Sequence, residues 1–273
     1  MPVRVYSRGS ARRSAPLVLH FHGGAFVAGS LEAGRRVSML LAEAGAVVVS
    51  VDYPLAPAHP FPQALEAAYG ALDWLQQRRT KWVSKRSGIF VAGEEAGGNL
   101  AAGLALMARD QQAPALAGQI LISPMLDASM ATCSIREAEA GPVGCRWADG
   151  WHQYLRSADK AAHPYASPLA SSRLAGLPPA LVLTAEDDLM RDESLSYARR
   201  LREAGVVVEQ HVLPAPTGWP DSLDRLPQVE APSIQGPSPD APWTDVVRGR
   251  FASFFADNSP SRRPAASLPS DRT

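Results

Sequence analysis

Val91-Ala-Gly-Glu-Glu-Ala-Gly-Gly-Asn-Leu100 is the stretch that decides the fold of this chain. The small residues Gly93, Ala96 and Gly97 allow a strand to turn sharply into a helix. This is the shape of a nucleophile elbow, the G-x-S-x-G turn that holds its central residue out at the edge of a sheet. The central residue here is Glu95, and a carboxylate cannot be the serine of a Ser-His-Asp triad. The stretch, called the elbow turn below, therefore predicts a hydrolase architecture without its usual reacting atom.

A second glycine-rich stretch supports this interpretation. The apolar run Leu19–Phe21 leads into His22-Gly23-Gly24-Ala25, which we name the glycine loop. Loops of this HGGG type supply backbone N–H groups to an oxyanion hole, together with the N–H of the residue after the nucleophile, here Ala96. Either stretch alone is a weak signal, but two of them, each at a strand-to-loop junction, are specific together.

The rest of the chain predicts an α/β fold. Short apolar runs alternate with amphipathic helical stretches, which is typical of βαβ units and a mostly parallel sheet. The predicted strands are Val3–Tyr6, Leu17–Phe21, Ala46–Val51, Gly88–Ala92, Gly118–Ile122, Ala180–Thr184 and Val206–Leu213. The predicted helices are Leu31–Ala44, Pro62–Arg78, Gly97–Asp110, Trp147–Ser157, Asp192–Ala204 and Trp243–Asp257.

With these motifs, the chain resembles the hormone-sensitive-lipase family of α/β-hydrolases, in its bacterial carboxylesterase branch. The resemblance runs from about Pro2 to Trp219, and further motifs that carry it are Asp52-Tyr-Pro-Leu-Ala-Pro57, Ser123-Pro-Met-Leu-Asp127 and Thr184-Ala-Glu-Asp-Asp-Leu-Met-Arg-Asp192. It implies an α/β-hydrolase fold, with a mostly parallel central sheet, helices on both faces and a reduced cap. We expect a single domain over residues 1–257, with a cap-like excursion at 128–166, and a disordered tail at 258–273.

The resemblance also assigns the site. The family's catalytic acid falls on Asp188, while its catalytic histidine falls on Thr217, so two of the three triad positions are substituted. The oxyanion or binding positions fall on His22, Gly23, Gly24, Ala25 and Ala96. Family members usually carry a helical cap segment ahead of the first strand, so we expect either a more open substrate side or a truncated chain.

Glu95 leaves several functions open. The first is a carboxylic-ester-hydrolase-like protein with weak or no esterase activity, because Glu95 and Thr217 replace Ser and His. The second is a small-molecule binding or receptor-like protein that uses the old acyl pocket. The third is a non-hydrolytic lyase or isomerase with Glu95 as its base. The chain has six histidines, and none of them is expected to replace the missing catalytic histidine. They are His20, His22, His59, His152, His163 and His211.

Glu95 also has a predicted place in the site. It stands at a helix N-terminus and faces N–H donors of Gly23, Gly24 and Ala96, which favour a carboxylate. We therefore expect it to fold into the vacant oxyanion hole as an internal anion. A nearby Asp188 opposes ionisation of both groups, and we expect the donors to prevail.

Composition limits the partners. The 273 residues carry 27 basic and 27 acidic side chains, which gives no reason to expect a nucleic-acid or membrane partner. The expected partner is a small acyl-ester-like or other hydrophobic molecule, and the sequence leaves the oligomeric state open.

The spacing of Cys133 and Cys145 fits no metal site, so we expect reduced thiols, no metal and no cofactor. No signal peptide or membrane span is recognisable, which predicts a cytoplasmic protein.

Overall fold

A seven-stranded sheet forms the centre of the computed structural model, which describes residues 1–9, 13–138, 144–224 and 242–259. The strand order is β1-β3-β2-β4-β5-β6-β7; β1 runs antiparallel to β3, and every other neighbouring pair is parallel. The strands are β1 Val3–Tyr6, β2 Leu17–Phe21, β3 Val47–Val51, β4 Ile89–Glu94, β5 Gly118–Ile122, β6 Ala180–Ala185 and β7 Val208–Leu213.

The central strands β2 to β6 are buried along their whole length and mostly apolar, because both faces of the sheet are covered. In β2, Leu17, Leu19 and Phe21 enter the core on one face, while Val18 enters the core on the other. This alternation follows from the two-residue period of a strand. A continuous apolar run therefore identifies a buried parallel strand here.

Helices cover both faces of the sheet. They are α1 Arg35–Glu43, α2 Gln63–Arg78, α3 Ala96–Asp110, α4 Cys133–Ala138, α5 Gly144–Leu155, α6 Arg191–Glu203 and α7 Trp243–Asp257. The first and last of these, α1 and α7, pack together on one face, and α2, α3 and α6 pack on the other. Within the described residues, no helix has the length and apolar character needed to cross a membrane.

The predicted fold class is confirmed, and the element bounds differ from the predicted ones by a few residues. The excursion at 128–166 holds one helix that the sequence did not predict, α4, whose six residues are too few to show an amphipathic period. Most of the predicted tail at 258–273 lies outside the described residues, but Asn258 is buried and bonds the Phe254 carbonyl at the end of α7. Cys133 is a free, exposed thiol, and the side chain of Cys145 lies outside the description.

Candidate functional site

The elbow turn joins β4 to α3 through a strained residue. Glu95 has φ +54° and ψ −118°, a region that non-glycine residues rarely occupy and that costs about 1–3 kcal/mol. Its N–H bonds the Ile122 carbonyl at 3.0 Å, and its carbonyl accepts from the Met125 N–H at 3.0 Å. A Cβ at Gly97 would lie 2.1 Å from the Phe21 carbonyl oxygen. The small residues are therefore required because the turn packs directly against the end of β2.

The glycine loop follows β2 and lies beside the elbow turn. Gly24 has φ +119°, and a Cβ there would lie 2.2 Å from the Ala28 carbonyl oxygen, so no larger residue fits. His22 is buried; its Nδ1 lies 2.7 Å from the Gly23 carbonyl oxygen, and its ring stacks on Tyr53 at 4.3 Å. Burial lowers the pKa of His22. This histidine therefore braces the loop as a neutral ring.

The Glu95 carboxylate reaches across to the glycine loop. Its Oε2 accepts a hydrogen bond from the Gly24 N–H at 2.6 Å, and its Oε1 accepts a short hydrogen bond from the Trp147 indole N–H of α5. The sequence predicted Gly24 as a donor to this carboxylate, together with Gly23 and Ala96. Among the described contacts, Gly23 and Ala96 do not donate to it. Trp147 takes their place as the second donor.

Arg146 brings a positive charge to the same carboxylate. Its guanidinium lies 3.8 Å from Glu95 Oε1 and 2.7 Å from Asp221 Oδ1, and it stacks over the Trp147 ring at 4.2 Å. The Arg146 side chain is half exposed, so water screens both ion pairs and each contributes little. The arginine nevertheless connects the cap helix α5 to the elbow turn and to the chain after β7.

Burial is what opposes the charge of Glu95. It raises the pKa of the carboxyl group and outweighs the Gly24 hydrogen bond, the Arg146 charge and the Trp147 hydrogen bond, which all lower it. Glu95 accepts the Gly24 N–H as expected, but burial shifts its pKa upward rather than downward. The expected opponent was Asp188, but desolvation is the larger effect because Glu95 is only 6% exposed.

Asp188 is buried at the end of β6 in a closed set of hydrogen bonds. It accepts from the Thr184 hydroxyl at 2.6 Å, the Ser123 hydroxyl at 2.8 Å and the Met190 N–H at 2.9 Å. Burial raises its pKa to about 6, although these hydrogen bonds oppose the shift. Its oxygens are therefore occupied without a histidine.

Thr217 contacts the neighbouring acid instead. Its hydroxyl and its N–H each donate to Asp187 at 2.7 Å, and the Gly218 N–H donates to the same carboxylate at 2.8 Å. The Thr217 hydroxyl therefore donates to Asp187 and not to Asp188. Thr217 offers no basic nitrogen, so it cannot take a proton from a nucleophile at Glu95.

Known proteins are similar to this chain in both sequence and fold. A family model described as the α/β-hydrolase fold matches residues 18–217. Carboxylesterase NlhH of Mycobacterium tuberculosis is 37% identical over 217 residues, which are 77% of this chain and 67% of the relative. The arylesterase of Saccharolobus solfataricus is 35% identical over 76% of this chain and 68% of its own length. The chain belongs to the hormone-sensitive-lipase family of α/β-hydrolases.

A solved member of this family has the same fold. Esterase LipW from Mycobacterium marinum superposes with a TM-score of 0.80 at 36% identity, covering 94% of this chain and 77% of that one. The resemblance inferred from the elbow turn and the glycine loop is therefore confirmed.

The cap helix lies closely against the family's glycine loop in this chain. A Cβ at Gly150 of α5 would lie 2.2 Å from the Ala25 carbonyl oxygen. Further along α5, Tyr154 stacks on Phe26 at 4.0 Å, and Trp151 packs on the same ring at 4.9 Å. A more open substrate side was one of two expectations, and at Glu95 it is wrong because α5 covers the carboxylate.

Trp147 is a site residue that the sequence does not reveal. An aromatic residue on such a helix is more often a packing residue, as Trp151 and Tyr154 are. Trp147 is also fully buried, but its indole N–H is aimed at Glu95. No spacing in the sequence distinguishes the hydrogen-bonding role from the packing role, because Trp147 and Trp151 face the same side of one helix.

The histidines do not rebuild the triad. His20 is held by Glu94 at 2.7 Å and by Ser50 at 3.1 Å, and His163 packs on Phe61. None of the six histidines, all of which are described, hydrogen bonds to Glu95 or Asp188. Across the described residues, no group of three His, Cys, Asp or Glu side chains is placed to hold a metal ion.

Proposed function

We propose that this protein is a carboxylesterase-like member of its family with weak or no ester-hydrolase activity. One observation carries the proposal: the Glu95 carboxylate accepts the Gly24 N–H, a donor of the glycine loop. In an esterase that donor would stabilise the oxyanion of the reacting ester. Here the protein's own side chain takes its place.

The remaining groups support the same conclusion. A serine-type hydrolysis needs a nucleophile, a base that takes its proton and an acid that orients the base. Glu95 stands at the nucleophile position, Thr217 at the base position, and Asp188 is bonded to Ser123 and Thr184. Attack by a Glu95 oxygen would have to compete with the hydrogen bond that this oxygen already accepts. None of the six histidines hydrogen bonds to Glu95, so none is placed to activate water for the second step.

The ligand class follows from the relatives. Those compared above are named as a carboxylesterase, an arylesterase and an esterase, so a small acyl-ester-like or other hydrophobic molecule is the proposed partner. Neither nucleic acid nor membrane is part of the proposal, and neither is a cofactor. We place the protein in the cytoplasm on the sequence features given above.

Two alternatives use the same site differently. A small-molecule binding protein needs the pocket but no triad, and the loss of both Ser and His is what favours it. A lyase or isomerase needs a base near neutral pH, and the raised pKa of Glu95 favours that role. The two hydrogen bonds on the carboxylate count against the second alternative, because a substrate proton would have to compete with a donor that each oxygen already holds.

A labelling and turnover experiment tests the proposal. The full chain is incubated with a fluorophosphonate probe and with short-chain aryl esters, beside a carboxylesterase of the family as positive control. We expect no label at residue 95 and ester turnover at background. A turnover number in the ordinary enzyme range, roughly 1–10³ s⁻¹, would overturn the proposal. Saturable binding of an uncleaved ester analogue without turnover would favour the binding-protein alternative.

A further inference from the structure

Charge is unevenly distributed along the strand direction, although the chain as a whole is neutral. The carboxyl ends of the strands carry a concentration of acidic residues, namely Asp52, Glu94, Glu95, Asp127, Glu186, Asp187 and Asp188. The opposite ends carry cations. The segment 74–93, which runs from the second half of α2 into β4, contains no acidic residue and five basic ones: Arg78, Arg79, Lys81, Lys85 and Arg86.

Three of these cations converge on one cleft, which we name the basic cleft. It has a volume of about 210 Å³ and lies where β4 and β5 begin. Arg79, Lys85 and Arg86 line it, and no carboxylate does so among the described residues. The other lining residues are Ser87, Gly88, Ile89, Ala115, Leu116, Ala117 and Asn258.

The three side chains have no counter-charge in the described part of the chain. No ion pair and no side-chain hydrogen bond is formed there by Arg79, Lys85 or Arg86, whereas Arg4, Arg35, Arg146, Arg191, Arg199 and Arg248 all pair with carboxylates. Like charges that converge without a partner repel one another. An anion that bound between them would remove this repulsion and gain charge-assisted hydrogen bonds.

The loop that carries two of these cations is held in place by backbone contacts. The Arg13 carbonyl accepts from the Ser84 N–H at 2.6 Å and from the Ser87 hydroxyl at 3.1 Å. The Ser84 hydroxyl in turn accepts from the Arg86 N–H at 3.2 Å. This network presents the side chains on a fixed backbone, and it brings Arg13 to the same end of the sheet.

We propose that the basic cleft binds a small phosphorylated or sulfated anion. A phosphate group carries up to two negative charges at neutral pH and accepts several hydrogen bonds, which matches two guanidinium groups and one ammonium group. The concave shape and modest volume favour a small anion over an extended polymer. The site lies a full strand length from Glu95 and rests on different residues, so it is independent of the ester chemistry proposed above.

The test is calorimetric titration of the full chain with inorganic pyrophosphate at fixed ionic strength. The site variant is Arg79→Gln with Lys85→Gln and Arg86→Gln. The control variant is Arg35→Gln with Arg199→Gln and Arg202→Gln, which removes the same charge from α1 and α6. Thermal unfolding with and without pyrophosphate gives a second readout, because a ligand of the native state raises Tm.

We expect saturable binding by the wild type, weakened about tenfold or more in the site variant and less than about twofold in the control variant. If the affinity for pyrophosphate fell equally in both variants, binding would reflect general charge attraction, and the proposed site would be wrong. An absence of saturable binding would overturn it as well. The site changes lie on the surface, and single substitutions at Lys85 or Arg86 give the same comparison if the triple variant unfolds.

Two further arms identify the source of the anion. Glycerol phosphate in solution is compared with vesicles that contain phosphatidylglycerol, and a single-stranded oligonucleotide is included. Binding of glycerol phosphate supports the proposal, whether or not vesicles also bind. Binding of vesicles or oligonucleotide with no binding of the small anions would contradict it, because the surface would then recognise only an extended array of charges.

Discussion

The Thr217 hydroxyl donates a hydrogen bond to Asp187 across 2.7 Å, while the adjacent Asp188 is bonded to Ser123 and Thr184 on the other side of the turn. The acid at the family's catalytic position and the residue at the family's histidine position are therefore held by different partners. In a restored triad, Asp188 would have to exchange one of its present hydrogen bonds for one from the new histidine.

Rescue of ester hydrolysis should require two substitutions. Glu95→Ser alone supplies a weak nucleophile without its base, and Thr217→His alone leaves a carboxylate over the glycine loop. We expect both single variants to stay near background. The double variant should exceed either by about tenfold or more, since triad residues act as a unit. The measurement is kcat/KM on short-chain aryl esters, with fluorophosphonate labelling of residue 95.

Two outcomes would change this account. Strong activity of Glu95→Ser alone would mean that another base already reaches the site, with His211 as the first candidate. No gain in the double variant would locate the obstacle in the loop that holds residue 217. In that case Asp187→Ala should be added, because it removes the acceptor that now fixes the loop.

Loss of the Trp147 donor should destabilise the fold in a pH-dependent way. A hydrogen bond to a charged group contributes about 1.5–3 kcal/mol and a neutral one about 0.5–1.5 kcal/mol. Trp147→Phe should therefore lower the free energy of unfolding more at pH 8, which favours the charged form of Glu95, than at pH 4, which favours the neutral form. The matched control is Trp151→Phe, which removes packing against Phe26 but no contact with Glu95. Chemical denaturation at both pH values measures the effect, and an equal loss for Trp147→Phe at pH 4 and pH 8 would contradict it.

Anion binding at the glycine loop should depend on the charge of Glu95. In the wild type the Gly24 N–H is already occupied, and the buried carboxylate repels a second anion. We expect phenylboronate to bind Glu95→Gln more tightly than the wild type at neutral pH, and the difference to shrink as the pH falls and Glu95 is protonated. Titration calorimetry across pH measures this. Equal affinity of the two proteins at neutral pH would show that Glu95 does not block the loop.

Asp188 should make the fold less stable as the pH rises. Its folded pKa of about 6 lies above the ordinary 3.8, so its contribution is fully present below pH 3.8 and is lost as the pH rises through 6. Relative to the wild type, Asp188→Asn should therefore gain up to about 3 kcal/mol in free energy of unfolding between pH 3.5 and pH 7. Denaturation curves across this range test it.

The neighbouring acid provides a control of opposite sign. Burial alone would raise the pKa of Asp187, but hydrogen bonds from Gly218 and Thr217 reverse this, and the net shift is downward. Its stabilising contribution is present above the ordinary pKa and is lost as the pH falls. Asp187→Asn should therefore lose stability relative to the wild type as the pH rises. If both variants changed in the same direction, the assignment of the two shifts would be wrong.

Much of the architecture could be predicted from the sequence, because it depends on local patterns. Apolar runs identified the strands, and the glycine spacing located the elbow turn and the glycine loop. The contact between Glu95 and Gly24 could be predicted because two motifs of known geometry meet there. The contact with Trp147 could not, since it depends on how α5 is placed over the sheet. The choice of Thr217 between Asp187 and Asp188 depends likewise on a turn whose direction the sequence does not specify.

Gly150 of α5 lies so close to the Ala25 carbonyl that a single added carbon would be 2.2 Å from its oxygen. This close contact affects the rate at which a ligand can bind. Glu95 is 6% exposed and Trp147 is fully buried against it, so a ligand that contacts the Glu95 carboxylate must wait for α5 to shift. Association is then a gated process: the observed rate rises with ligand concentration at first and levels off at the rate at which the cap opens. In a stopped-flow experiment with a fluorescent ester analogue, that plateau is a property of the protein alone, and chemically different ligands should share it.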